Sequence, residues 1–280
     1  MLDFFRDAPH VPFIVTALVA VVLAATAAGV TGSLVVVRRS TYLAGAVSHC
    51  VLAGLGLARL LQRRFGVEWL TPTGGALLAA VGAALLLARL TARGGQRTDT
   101  ALSVIWTGGT ALGVTFIALT PGYQEDLMSY LFGSIMLVPW DELVWMAALN
   151  VVTLATVFAC YNRFLAISFN EELARLRGVR TARYEVVCQV LTALTVVLLV
   201  RVVGIVLAIA LLTLPAATAG MLTRRLDRMM LLAAGIWVAA GVLGLALSYA
   251  PGLPPGATIV EVALVVYVAV LALTRRPGRR

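Results

Sequence analysis

Asn162–Tyr184, NRFLAISFNEELARLRGVRTARY, is the long polar run in a chain that otherwise reads as lipid-facing or buried. Phe169, Leu173, Leu176 and Val179 recur at spacings of three and four and so line one side of a helix, while Glu171, Glu172, Arg175 and Arg177 face away. Asn170 stands where a side-chain cap satisfies the first free N–H groups, and Gly178 sits near the end, where a left-handed residue costs least. The stretch predicts a short amphipathic helix at about 170–180, with Ala174 inside it. Set between hydrophobic spans, it reads as a docking element for a soluble partner or as an ordinary solvated loop helix.

Outward from this run the chain is apolar. Its 280 residues are 61% hydrophobic and 12% charged, with a mean hydropathy of +0.96, which describes a polytopic membrane protein embedded in a lipid bilayer. The net charge of +9 does not indicate nucleic acid, because the arginines gather at span ends, where the positive-inside bias accounts for them. Cys50, Cys160 and Cys188 lie scattered in or at the ends of apolar spans. They form neither a disulfide framework nor a zinc knuckle and read as packing residues.

In chain order, the lead Met1–Pro12 lacks the basic start of a signal peptide, and the apolar run Phe13–Val37 is long enough to be a retained first span. Tyr42–Leu61, Pro72–Leu90 and Ala101–Leu119 follow, with Arg38, Arg39 and Arg89, Arg93, Arg97 marking cytoplasmic turns. The link Thr120–Trp140 holds no basic residue, and with Asp141 and Glu142 after it the charge rule puts it outside; its middle, Leu127–Val138, is too short to span and predicts an interfacial or re-entrant helix. Asp141–Tyr161 returns to the cytoplasm and delivers the opening helix there. Val186–Val200, Ile205–Leu222 with its internal Pro215, Met229–Tyr249 and Ile259–Leu273 complete the set. The expected fold is all-α, a single membrane-helix bundle over residues 1–280 of about nine spans, with the N-terminus outside and the C-terminus inside. Arg63 and Arg64 fall on the outer side against the charge rule, so a count of about eight or ten stays open. Gly109–Gly113 and Ala24, Ala28, Gly32 carry small residues at helix-packing spacing.

Few residues can carry chemistry. His49 lies about 12 Å from the inner end of the second span, near mid-membrane. Ionisable groups at that depth usually line a pathway, and imidazole suits borderline metals such as zinc; a lone histidine can also simply hydrogen-bond a neighbouring helix. Glu261, about 6 Å below the outer end of the last span, is a second buried candidate that could pair with an arginine, snorkel or face an outer vestibule. Asp126 and Tyr130 share a face of the outer link at i,i+4, where acidic groups beside Glu125 would concentrate cations. Phosphate-loop, zinc-protease and serine-hydrolase motifs are missing, so the chain does not read as an enzyme. A transporter of this kind runs on an ion gradient, as a secondary metal-ion carrier, or on a separate ATPase, and a rigid amphipathic helix facing the cytoplasm favours the ATPase.

Four passages resemble the permeases of ABC importers for zinc, manganese and iron, the ABC-3 type. VVVRRSTYLAGAVSHCVLAG is similar to the family's basic pair leading to a buried Ser-His, here Ser48–His49. RTDTALSVIWTGGTALG resembles its Asp-led fourth span, with Asp99 leading, and EDLMSYLFGSI its Asp-Leu-x-x-Tyr-Leu-Phe-Gly segment. FNEELARLRGV followed by VVGIVLAIALLTLPAATAGML resembles its coupling helix and the proline-containing span behind it.

The resemblance implies a type II ABC importer permease in a bacterial cytoplasmic (inner) membrane. It implies a homodimer bound to two copies of an ABC ATPase subunit and fed by an extracytoplasmic metal-binding protein, with no permanently bound cofactor and a divalent metal ion as cargo. Asn170–Arg180 would enter the ATPase groove, and His49 would meet the ion. The family places an Asp four residues before this histidine; here the position is Gly45, which removes a hard oxygen ligand and leans the expected cargo towards zinc, with manganese or iron next.

Overall fold

The computed structural model describes residues 11–92, 98–121, 133, 135–249 and 251–274. Ten α-helices are found among them: α1 Pro12–Val37, α2 Thr41–Phe65, α3 Pro72–Ala92, α4 Thr98–Ala118, α5 Trp140–Phe169, α6 Glu171–Leu176, α7 Thr181–Val203, α8 Ile205–Leu222, α9 Leu226–Tyr249 and α10 Pro255–Thr274. All but α6 are long and apolar enough to cross a membrane, which makes nine candidate spans among the described residues. The protein is a multi-pass, all-helical membrane protein. An odd number of spans puts the two ends of the bundle's chain on opposite sides, as the charge pattern requires.

Helix ends differ from the apolar runs in informative ways. α2 continues to Phe65 and carries Arg63 and Arg64 in its last turn, where guanidinium groups meet the negative end of the helix dipole. That local attraction accounts for arginines on the side the charge rule disfavours. The largest extension is α5, whose 30 residues rise about 45 Å, half as long again as a bilayer's hydrocarbon core of about 30 Å. Its added turns, beyond Tyr161, are amphipathic: Phe164 and Ile167 are buried while Phe169 is 76% exposed. Of the expected helix Leu127–Val138, most lies outside the described residues, which show a short 3-10 turn at Ile135–Leu137. Glu125, Asp126 and Tyr130 also lie outside them.

The bundle is centred on α1, α2, α7 and α8. α2 packs along α4, α1 along α9, and α8 against α1, α2 and α10. The small-residue motif of α4 does what its spacing predicts. A Cβ on Gly109 would come within 2.9 Å of the Cys50 amide nitrogen, and one on Gly113 within 2.9 Å of that of Ala53, so the two backbones approach as only glycine allows. Trp237 and Phe164 are fully buried, and Asn150 on α5 donates to the Leu23 carbonyl at 2.5 Å and to Thr26 Oγ1 at 2.7 Å, tying α5 to α1.

Candidate functional site

The crossing of α2 and α4 builds the surroundings of His49. Its ring stacks on Trp106 of α4, with centroids 4.7 Å apart and planes 25° from parallel. Thr110, one turn further along α4, lies 2.9 Å from His49 Nδ1 and donates its hydroxyl hydrogen to the Trp106 carbonyl at 2.9 Å. A hydroxyl has one hydrogen, so with that hydrogen on the carbonyl its oxygen accepts from Nδ1–H. A neutral imidazole held this way presents the lone pair of Nε2, the arrangement of a metal-ligating histidine whose other nitrogen is fixed by a partner. His49 is half-buried rather than sealed in the core.

Trp106 also explains Gly45. A Cβ at position 45 would lie 2.5 Å from Trp106 Cζ3 and 3.0 Å from Ile209 Cδ1 of α8. The indole fills the volume that a carboxylate on that turn would occupy. Hence the imidazole gains an aromatic neighbour where an i−4 acid would have supplied an oxygen. Trp106 also borders a cavity of about 570 Å³ shared with Tyr42, Asp99, Leu102, Ser103 and Thr107, which lies towards the ends at which α2 and α4 begin.

The remaining pathway candidates do not converge on His49. Ser48 is fully buried and donates to the Ala44 carbonyl at 2.8 Å, so its hydroxyl serves its own helix and faces the core. Glu261 is exposed on α10, beside the exposed Leu264 and Val265, rather than packed between the helices of this chain. Among the described residues no three His, Cys, Asp or Glu side chains come together as a metal cage.

The opening helix is shorter than its sequence pattern. α6 is a six-residue helix, Glu171–Leu176, and its cap is as expected: the Leu173 amide donates to Asn170 Oδ1 at 2.9 Å. Gly178 takes φ = 81° and turns the chain into α7. Phe169 belongs to the end of α5, because the amphipathic extension of that helix runs through it to the break at Asn170. Leu173 at 46% and Leu176 at 79% exposure nonetheless stand out with Phe169 as an uncovered apolar face, flanked by Glu171, Glu172, Arg175 and Arg177, while Val179 is half-buried and Ala174 is packed inward. Beside Phe169 a cleft of about 460 Å³ opens between Val36, Ser168, Met221, Arg224 and Met229.

Behind α6 the structure is braced by contacts that the sequence reading missed. Arg38, at the end of α1, forms an ion pair with Glu185 in the second turn of α7, and Gln189 Nε2 donates to Glu185 Oε1 at 3.2 Å. Tyr184 meets Phe164 edge-on at 6.1 Å and carries the Arg163 guanidinium over its ring at 5.5 Å. The α5 extension, α6 and the start of α7 therefore form one braced unit on α1. A signal existed for Trp106: it precedes Gly109 and Gly113 at i,i+3 and i,i+7, on the face that glycines turn towards another helix.

The comparisons agree with this architecture. A family model described as the ABC 3 transport family matches residues 10–274. An uncharacterized membrane protein of Synechocystis is 37% identical over 275 residues, 98% of this chain and 95% of the relative. A Streptococcus parasanguinis protein named as a manganese import system permease is 30% identical, covering 92% of this chain and 89% of its own. Among solved structures, PsaBC from Streptococcus pneumoniae in complex with Fab superposes with a TM-score of 0.85 at 26% identity, over 96% of this chain and 95% of that one. With a match that runs from just before α1 to the end of α10, the chain belongs to the ABC 3 transport family.

Proposed function

We propose that the chain is the membrane permease subunit of an ABC importer for a divalent metal ion, working as a homodimer with two copies of an ATPase subunit and receiving the ion from an extracytoplasmic binding protein. The observation that carries this reading is α6: a capped helix with an uncovered apolar face, outside the spans and packed on α5 and α7, the two spans it connects. Exposed apolar side chains ringed by charge fit a groove on a soluble subunit better than they fit water. The names of family relatives, which include a manganese transport system membrane protein and a manganese import system permease, support the cargo class.

In this mechanism the ATPase grips Phe169, Leu173 and Leu176, and its closure displaces α6. α6 links α5 to α7, the Tyr184 contacts tie α7 to the α5 extension and Arg38–Glu185 ties α7 to α1, so the displacement passes to the bundle as a rigid body. α8, packed on both α1 and α2, carries it to the crossing where His49 and Trp106 sit. The ion, partly stripped of water, meets His49 Nε2 as a transient ligand. One imidazole per chain with no i−4 carboxylate is a weak, soft stop that favours zinc and then manganese or iron, and that releases its ion readily.

The test is uptake of 65Zn and 54Mn by proteoliposomes holding the permease, its ATPase and its binding protein. The proposal expects uptake that needs ATP in the ATPase compartment. Uptake that instead follows a proton or sodium gradient without ATP would make the chain a secondary carrier.

A further inference from the structure

α4 carries a polar stripe that the reading of His49 leaves unused. Asp99, Ser103, Thr107 and Thr110 are spaced by four, four and three residues, which brings them back to one face after three turns. Asp99, Ser103 and Thr107 are exposed and Thr110 half-buried. The stripe starts at the cavity beside Tyr42 and ends on His49 Nδ1. Its eleven-residue rise is roughly 16 Å, the distance from mid-membrane to the cytoplasmic face.

The hydroxyls are oriented alike. Ser103 donates to the Asp99 carbonyl at 2.9 Å, Thr107 to the Ser103 carbonyl at 2.8 Å and Thr110 to the Trp106 carbonyl at 2.9 Å. Hydroxyls in apolar helices commonly bond back in this way. The consequence here is that each hydrogen is used within the helix and each oxygen turns its lone pairs outward, so the row offers acceptors and ends at a carboxylate. Such a row attracts a cation or the waters around it, repels anions, and holds neither tightly.

We propose that this stripe is the release path of the transporter: a divalent cation leaving His49, with part of its hydration shell, steps along Thr107 and Ser103 to Asp99 and the cytoplasm. The path rests on the reading of the chain as a metal-ion permease, and the experiment separates the two. Thr115 serves as control, because it also bonds back, to the Ala111 carbonyl at 2.8 Å, and is exposed, yet falls off the stripe.

The measurement is ATP-driven 65Zn and 54Mn uptake by the complete reconstituted transporter. In Ser103→Ala/Thr107→Val uptake of both ions falls roughly tenfold or more, the scale of losing contacts to a charged species; Thr107→Ser is close to wild type, and Thr115→Val is unchanged. His49→Ala is assayed in parallel. Normal uptake in the Ser103/Thr107 variant with loss in His49→Ala overturns the stripe alone, whereas the reverse pattern overturns the histidine and keeps the stripe. Should the double variant fail to assemble, Thr107→Cys gives the second measurement. A membrane-impermeant methanethiosulfonate on the ATPase side blocks its uptake and spares wild type and Thr115→Cys, and the absence of that block overturns the path.

Discussion

Gly45 and Trp106 are complementary: the ring of Trp106 stands 2.5 Å from where a Cβ on Gly45 would be. Gly45 thus leaves room for Trp106, which gives His49 a stacking partner and leaves no space for a carboxylate at position 45. Gly45→Asp alone therefore does not add a ligand. It overpacks the crossing, with an expected cost of about 1–3 kcal/mol, and lowers thermal stability and uptake together. Gly45→Asp combined with Trp106→Ala opens the volume, regains stability relative to the single variant, and shifts competition between the two ions towards manganese, since carboxylate suits it better than imidazole. Thermal unfolding and competitive uptake on both variants check this, and an unchanged selectivity in the double variant counts against His49 as an ion contact.

The proposed docking face makes a prediction in which folding is controlled for. Leu173 and Leu176 are exposed, so Leu173→Glu or Leu176→Glu leaves the bundle stable. Copurification with the ATPase and uptake both drop, by roughly tenfold for an anchor worth about 1–2 kcal/mol. Gly178→Asp acts by a different route: its φ of 81° is strained for a side-chain-bearing residue by about 1 kcal/mol. Normal copurification and uptake in the two leucine variants would contradict the docking role.

The ion pair behind α6 predicts an asymmetry. The Arg38 side chain is 10% exposed and that of Glu185 37%. Removing Glu185 leaves a guanidinium buried without its charge partner, whereas removing Arg38 leaves a carboxylate that water reaches. Glu185→Ala should thus destabilise by about 3 kcal/mol and Arg38→Ala by about 1 kcal/mol, read as midpoints of thermal unfolding in detergent. Equal losses would mean that the pair contributes through packing alone.

Topology is checked by thiol accessibility. Cysteines introduced at Glu172 and at Glu125 should be labelled from opposite faces of sealed vesicles, Glu172 from the cytoplasmic one, against a background from three native cysteines that are half-buried or buried. Labelling of both from one face contradicts the arrangement of spans.

The bundle was legible from sequence because hydrocarbon imposes length and apolarity on each crossing independently: the expected Ile205–Leu222 matches α8 residue for residue. Helix ends were less legible. α5 outruns its apolar stretch by eight residues because Phe164 finds a packing surface on α7 and Ile167 is buried as well, a tertiary gain that local polarity hides. Asn170 and Gly178 were legible as cap and turn, since both act within a few residues of themselves. The environment of His49 was not. Trp106 and Thr110 lie about sixty residues away in the chain, and what they do follows from the close approach that Gly109 and Gly113 allow. The exposure of Glu261 was not legible either, because depth along a helix says nothing about which way it faces.

Whether His49 is a stop on the ion's path or a packing residue is read from uptake by purified, fully assembled His49→Ala and His49→Gln transporters. As a stop on the path, His49 is dispensable for folding: both variants should assemble with the ATPase and unfold within a few degrees of wild type, yet lose most ATP-driven 65Zn and 54Mn uptake. Wild-type uptake of both ions in the two variants, or a loss of uptake that merely follows a loss of assembly, would contradict it.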